Sequence, residues 1–205
     1  GLMTTFGAEM VALETGRAEV RAPILPGSRQ QHGYAHANHA PAGEKKAEYG
    51  AHRPDAAMLA ELARGRERLQ ALFGSLARPV LTPPWNRIAP ALAGRLGEAG
   101  LAGLSAFGPR GARPLPAVVN AHLDIVDWHG GRGFAGAGRV LAAAAAQLAA
   151  RRQGTADAAE PTGLLTHHRD HDEDGWAFVA AFLRAVAAHP AAAWVDPFDA
   201  IGGAA

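Results

Sequence analysis

The chain has 205 residues, 48% hydrophobic and 19% charged, the balance of an ordinary soluble globular protein. A chain of that length buries roughly 70% of the surface its unfolded form exposes and is most simply one domain, residues 1–205. A net charge of +1 with scattered Lys and Arg provides no field for steering nucleic acid, and the absence of cysteine removes disulfide and thiolate chemistry.

No apolar run approaches the roughly 18 residues that a bilayer span requires, so no membrane partner is expected. The N-terminus lacks a basic segment leading into an apolar core, and the expected compartment is the cytoplasm. Residues 1–30 carry weak signals: Met10 to Leu13 suggests a short helix, and Ala22 to Leu25 a short strand before Pro26-Gly27. Next comes Gln31-His32-Gly33-Tyr34-Ala35-His36, two histidines four apart in a stretch whose glycine and missing helical period favour a loop. Asp55 is placed to cap a helix over 56–73, with Leu59, Leu62, Leu69 and Leu72 at helical spacing. Arg78 to Thr82 reads as a strand stopped by Pro83-Pro84. A helix at 88–99 ends at Gly100, and strands cover 101–106 and 116–122. The alanine-rich stretch 137–152 is helical by propensity, with Gly154 as its stop. Gly163 to Thr166 is a strand. Asp172-Glu173-Asp174 then opens a helix with Trp176, Val179, Leu183 and Val186 on one face. Pro190 ends that helix, and Ala192 to Val195 is a last strand. Short apolar strands alternating with helices predict a parallel α/β architecture.

In barrels and open α/β sheets the strand C-terminal ends form the functional face. Pro83-Pro84-Trp85, His122 to Trp128 and His167-His168 all follow predicted strands and would converge there. Imidazoles at i and i+4 can share a metal ion, but the zinc-protease motif needs Glu where Gly33 stands, which rejects that motif. The plain alternative for His32 and His36 is an exposed, histidine-rich loop, with His39 a weaker third candidate. Asp124 and Asp127, beside Trp128, can orient an imidazole or simply cap a turn. His167, ending a buried strand, is placed as a general acid, because imidazole titrates near neutral pH. The run that follows it reads alternatively as a second metal site or a charged helix start, with His171 in the solvated cap. Trp85, behind a rigid proline pair, offers a sugar-stacking face or a buried plug.

Over residues 31 to about 176, these four segments in this order resemble the NodB-homology polysaccharide deacetylases. The resemblance implies a distorted (β/α) barrel, incomplete in this chain, with residues 1–30 atypical. It implies a metal-dependent hydrolase acting on N-acetyl or O-acetyl carbohydrate, with a divalent metal, zinc by analogy. His32-Gly33-Tyr34-Ala35-His36 matches the family's histidine pair, so His32 and His36 would ligate the metal. Leu81 to Asn86 is similar to the proline-rich groove motif, and Pro84, Trp85 and Trp128 would line the substrate site. Leu165-Thr166-His167 matches the Leu-x-His motif, making His167 the residue that protonates the leaving amine. Asp127, directly before Trp128, would fix the orientation of that histidine.

The chain departs from the family at two places. The Thr-Phe-Asp-Asp-Gly motif, source of the base and the third ligand, is here Thr5-Phe6-Gly7-Ala8-Glu9. Glu9, Glu14 or Glu19 would then have to complete the metal site. Thr82 stands where the family has a bracing arginine, with Arg87 as the nearest substitute. These losses support an alternative, a catalytically inactive deacetylase-like protein that binds carbohydrate or a protein partner. Apolar neighbours left uncovered by the altered N-terminus would favour a homo-oligomer.

Overall fold

A computed structural model describes residues 2–5, 28–111, 117–167 and 170–195. The protein is a mixed α/β chain that divides into two units, residues 1–106 with 112–118, and residues 107–111 with 119–205.

In the first unit, β1 (Leu2–Thr5), β2 (Ser28–Gln31), β3 (Ala77–Leu81), β4 (Gly103–Leu104) and β5 (Ala117–Val118) form one sheet in chain order. β1 is antiparallel to β2, and every later pair is parallel. Parallel neighbours need a long crossover, and α1 (Asp55–Phe73) supplies it between β2 and β3. Helical spacing buries Met58, Leu59, Leu62 and Leu69 of α1, and the first three join a core with Tyr49, Leu81, Leu92, Leu96 and Leu101. Leu72, expected on the same face, is 48% exposed. Asp55 does not cap α1: Pro54 occupies the cap position and the Asp55 carboxylate pairs with Arg95 Nη1 at 3.0 Å.

The helix expected at 88–99 is broken into α2 (Pro90–Ala93) and a 3₁₀ turn at Leu96–Ala99. Gly94 and Gly97 account for this, each disfavouring a continuous helix by about 1 kcal/mol relative to alanine. The strand expected at 101–106 shortens to Gly103–Leu104, and the one expected at 116–122 divides into β5 and β6 (Ala121–Asp124).

In the second unit β6 pairs in parallel with β7 (Gly163–Leu165), and α3 (Ala137–Arg152) makes the crossover. Leu123, Ile125, Val126, Val140 and Val179 form the core, with Phe134, Phe178 and Phe182 packed against it. The inward face of α4 (Glu173–Ala188) is therefore Gly175, Phe178, Val179 and Phe182, an i, i+3, i+4, i+7 set. The expected face fails because three phenylalanine rings pack in series, Phe134 to Phe178 at 5.0 Å and Phe178 to Phe182 at 5.7 Å. Trp176 and Leu183 are left 44% and 39% exposed.

Ala192 to Val195 is not a strand, because no strand edge among the described residues pairs with it; Trp194 and Val195 are exposed. The expected elements at Met10 to Leu13 and Ala22 to Leu25 lie outside the described residues. Among the described residues, no helix is long and apolar enough to cross a membrane.

Candidate functional site

Parallel pairing places Gln31 opposite Leu81, so β2 and β3 deliver their C-terminal ends to one edge of the first unit. The residues that follow are His32 and Thr82. His32 is buried, and its Nδ1 lies 2.9 Å from the Thr82 carbonyl oxygen. A carbonyl only accepts, so Nδ1 carries the proton and the neutral ring has its lone pair on Nε2. A backbone carbonyl holding one ring nitrogen is the usual way a metal-binding histidine is oriented. His36 is exposed and adopts φ +54°, and its ring lies 5.0 Å from that of His32. Trp85, also left-handed at φ +55°, meets the His36 ring edge-on at 4.6 Å.

Pro84 is buried against Gly33, where a Cβ would approach its Cγ to 2.6 Å. The proline-rich turn and the histidine loop are thus one packed feature. Thr82 supports it from beneath, its hydroxyl donating to Gln30 Oε1 at 2.8 Å. Arg87 is engaged elsewhere, donating from Nη1 to the Lys46 carbonyl at 2.8 Å, and His39 is exposed.

Two neighbouring imidazoles, one with its tautomer fixed, could supply two ligands to a divalent ion such as zinc. No set of three His, Cys, Asp or Glu side chains is grouped as metal ligands among the described residues. Glu9, Glu14 and Glu19 lie outside the described residues.

The second unit uses the same strand-end logic. Asp124, last in β6, is opposite Leu165, last in β7, and His167 follows two residues later. His167 Nε2 lies 3.5 Å from Asp124 Oδ2. The Trp128 indole donates to that same oxygen at 2.8 Å, and the Val126 N–H donates to Oδ1 at 2.9 Å. The Trp128 and His167 rings meet perpendicularly at 4.7 Å. Burial pushes the Asp124 carboxyl up, but the neighbouring His167 imidazole and hydrogen bonds from the Val126 N–H and Trp128 outweigh it and hold the group below its usual range.

Asp127 is not the partner of His167. It sits in the turn after β6, where its Oδ1 meets Arg139 of α3 at 3.2 Å and accepts the His129 N–H at 3.2 Å. Three residues past Asp124, the chain has left the strand, and Asp127 organises the loop instead. Arg139 and the backbone N–H groups of His129 and Gly130 hold its carboxyl below the usual range. Trp128 remains partly open to solvent, with the Arg132 guanidinium 5.4 Å from its ring centre.

His171 departs from the solvated-cap expectation: its Nε2 accepts the His167 N–H at 2.9 Å, and its ring meets Trp176 at 4.6 Å. Asp172 is the cap, accepting the Gly175 N–H on Oδ1 at 2.7 Å and the Phe134 N–H on Oδ2 at 3.0 Å. His168 and Arg169 lie outside the described residues. A separate buried pair, His122 Nε2 and Glu160 Oε2 at 3.4 Å, braces the opposite end of β6, where Glu160 also accepts the Arg110 N–H.

One residue near the histidine pair was not singled out by sequence. Glu48 is 1% exposed, and its Oε1 accepts the N–H groups of both Tyr34 (3.0 Å) and Ala35 (2.8 Å). Following Lys45-Lys46, it has the sequence signature of a solvated charge, and only the adjacent aromatic Tyr49 hints at burial. Comparison with protein-family models, curated proteins and solved structures returns no match to this chain.

Proposed function

We propose that the protein is a metal-dependent, deacetylase-like hydrolase of acetylated carbohydrate, N-acetyl or O-acetyl, on a distorted and incomplete (β/α) barrel. The observation that carries this reading is the Asp124 cluster, a histidine at a strand end held by a carboxylate and walled by an indole. A carboxylate only accepts, so the ring proton at this contact is on Nε2. Nδ1 is then the nitrogen that passes a proton to the leaving group. Hydrolysis breaks the acetyl C–N or C–O bond, the oxygen of water ends on acetate, and the departing nitrogen or oxygen takes the proton from His167.

Asp124 keeps the ring in register, the role that the family resemblance gave to Asp127. Trp128 supplies an apolar wall. In the first unit His32 and His36 would hold the divalent ion, zinc by preference, with Pro84 and Trp85 as the aromatic-lined surface for sugar. When bound, such an ion polarises an acetyl carbonyl and lowers the pKa of water.

Acetate release from acetylated oligosaccharides, measured with added zinc or cobalt, tests the proposal. Chelation should abolish activity, and His167→Ala should lower it by roughly 10²–10⁴, the usual contribution of a positioned acid. The missing aspartates in Thr5-Phe6-Gly7-Ala8-Glu9 favour a second reading, a binder without turnover. Zinc bound with no acetate released would establish that reading and refute the enzyme.

A further inference from the structure

The geometry points to Glu48 as the positioning residue of the histidine pair: its buried carboxylate fixes the backbone between His32 and His36 and so brings the two rings together. The inference rests on reading those histidines as metal ligands. His32 has its own anchor, the Thr82 carbonyl, on the strand side of the loop. His36 has no such anchor among the described residues; its ring meets those of His32 and Trp85. Its backbone stands at φ +54°, a left-handed conformation that is strained for a residue with a Cβ. Something must hold the peptide units before it.

Two consecutive N–H groups, those of Tyr34 and Ala35, converge on Glu48 Oε1 at 3.0 and 2.8 Å. Consecutive amides aimed at one point form an anion-binding concavity, and here the anion is part of the chain. Charge-assisted bonds of this kind are roughly twice as strong as neutral ones. Glu48 is itself well anchored. Its carbonyl accepts from Arg53 Nη1 at 3.0 Å, and Tyr49, the next residue, is fully buried. Meanwhile Oε2 has no hydrogen-bond partner among the described residues and packs on Gly33. An orphaned buried carboxylate oxygen is costly for folding, which marks the group as kept for the loop it shapes. Both of its bonds to the loop run to backbone N–H groups between the two histidines, so Glu48 acts through the peptide chain that carries them.

The test uses the full chain without metal and follows the imidazole proton resonances of His32 and His36 by NMR. In wild type, the Trp85 ring displaces the His36 signals from their free-histidine positions. Glu48→Ala should return the His36 signals toward those positions and leave the His32 hydrogen bond to Thr82 in place. Glu48→Gln retains a carbonyl acceptor and should preserve the His36 displacement, while the Tyr34 and Ala35 amide protons move upfield as the charge is lost. Zinc affinity by calorimetry should fall about 10–100-fold in Glu48→Ala, the usual cost of losing a supporting group, and within about threefold in Glu48→Gln.

Unchanged His36 signals in a folded Glu48→Ala protein would overturn the inference. If that variant does not fold, unchanged Tyr34 and Ala35 amide shifts in Glu48→Gln would overturn it equally. Wild type that shows the NMR pattern but binds no zinc would sustain the positioning role and remove the metal reading instead.

Discussion

Gly33→Ala should destabilise the first unit far more than the same change at another left-handed glycine. Gly33 has φ +72° and Gly43 has φ +84°, so both substitutions incur the backbone cost of placing a Cβ in that region, about 1–2 kcal/mol. At Gly43 nothing lies within 4 Å of the new methyl, so the cost ends there. At Gly33 the methyl overlaps Glu48 Oε2 and comes within 2.6 Å of Pro84 Cγ. Neither neighbour yields easily: the proline ring is rigid and buried, and the carboxylate is tied to two amides. Overpacking of this kind adds about 1–3 kcal/mol, for a total of roughly 2–5 kcal/mol. Urea unfolding followed by circular dichroism measures both variants. The difference between the two, about 1–3 kcal/mol, reports the contact alone. Equal losses at the two glycines would refute the packing of the histidine loop described above.

Three further outcomes follow from the same geometry. Leu62→Ala, in the fully buried core, should cost about 2–5 kcal/mol, whereas Leu72→Ala on the exposed side of α1 should stay within about 0.5 kcal/mol; chemical denaturation of both variants checks the assigned face. Asp124→Asn should lower the rate of acetate release at least tenfold while Asp127→Asn leaves it within about threefold, and the reverse order would restore Asp127 as the histidine's partner. Because Asp124 is held below its usual range, its stabilisation is present above the unfolded pKa of about 4 and is lost as pH falls through the lower folded value. The stability lead of wild type over Asp124→Asn, read from urea midpoints, should therefore shrink between about pH 5 and pH 2; a constant lead would contradict the assignment.

Strong periodicity and strand-ending signals made much of the architecture legible. Leu59, Leu62 and Leu69 identified the buried side of α1, and Pro83-Pro84 marked where β3 stops. The placement of Trp85 and His167 just beyond strand ends was legible for the same reason, whereas no strand was expected directly before His32, where β2 ends. What spacing could not settle was competition between neighbours of one type. Asp124 and Asp127 are chemically identical, and only the strand end, which leaves one on the ladder and the other in a turn, decides between them. Trp176 and Phe178 competed for the inner face of α4, and the ring series begun by Phe134, distant in sequence, favoured the phenylalanines. Glu48 was hidden because its partners are backbone amides, which carry no residue identity at all.

Asp172 divides its carboxylate between two segments, one oxygen on the first turn of α4 and the other on Phe134, at the end of the loop that carries Trp128. Neither bond can open without loosening the hold on the other, so the helix start and that loop share a single opening equilibrium. In hydrogen exchange, the amides of Gly175 and Phe134 should show matched protection and lose it together in Asp172→Ala. A half-exposed tryptophan on an irregular loop thereby acquires the persistence of a helix, and the surface it offers to a ligand is preorganised rather than assembled at each encounter.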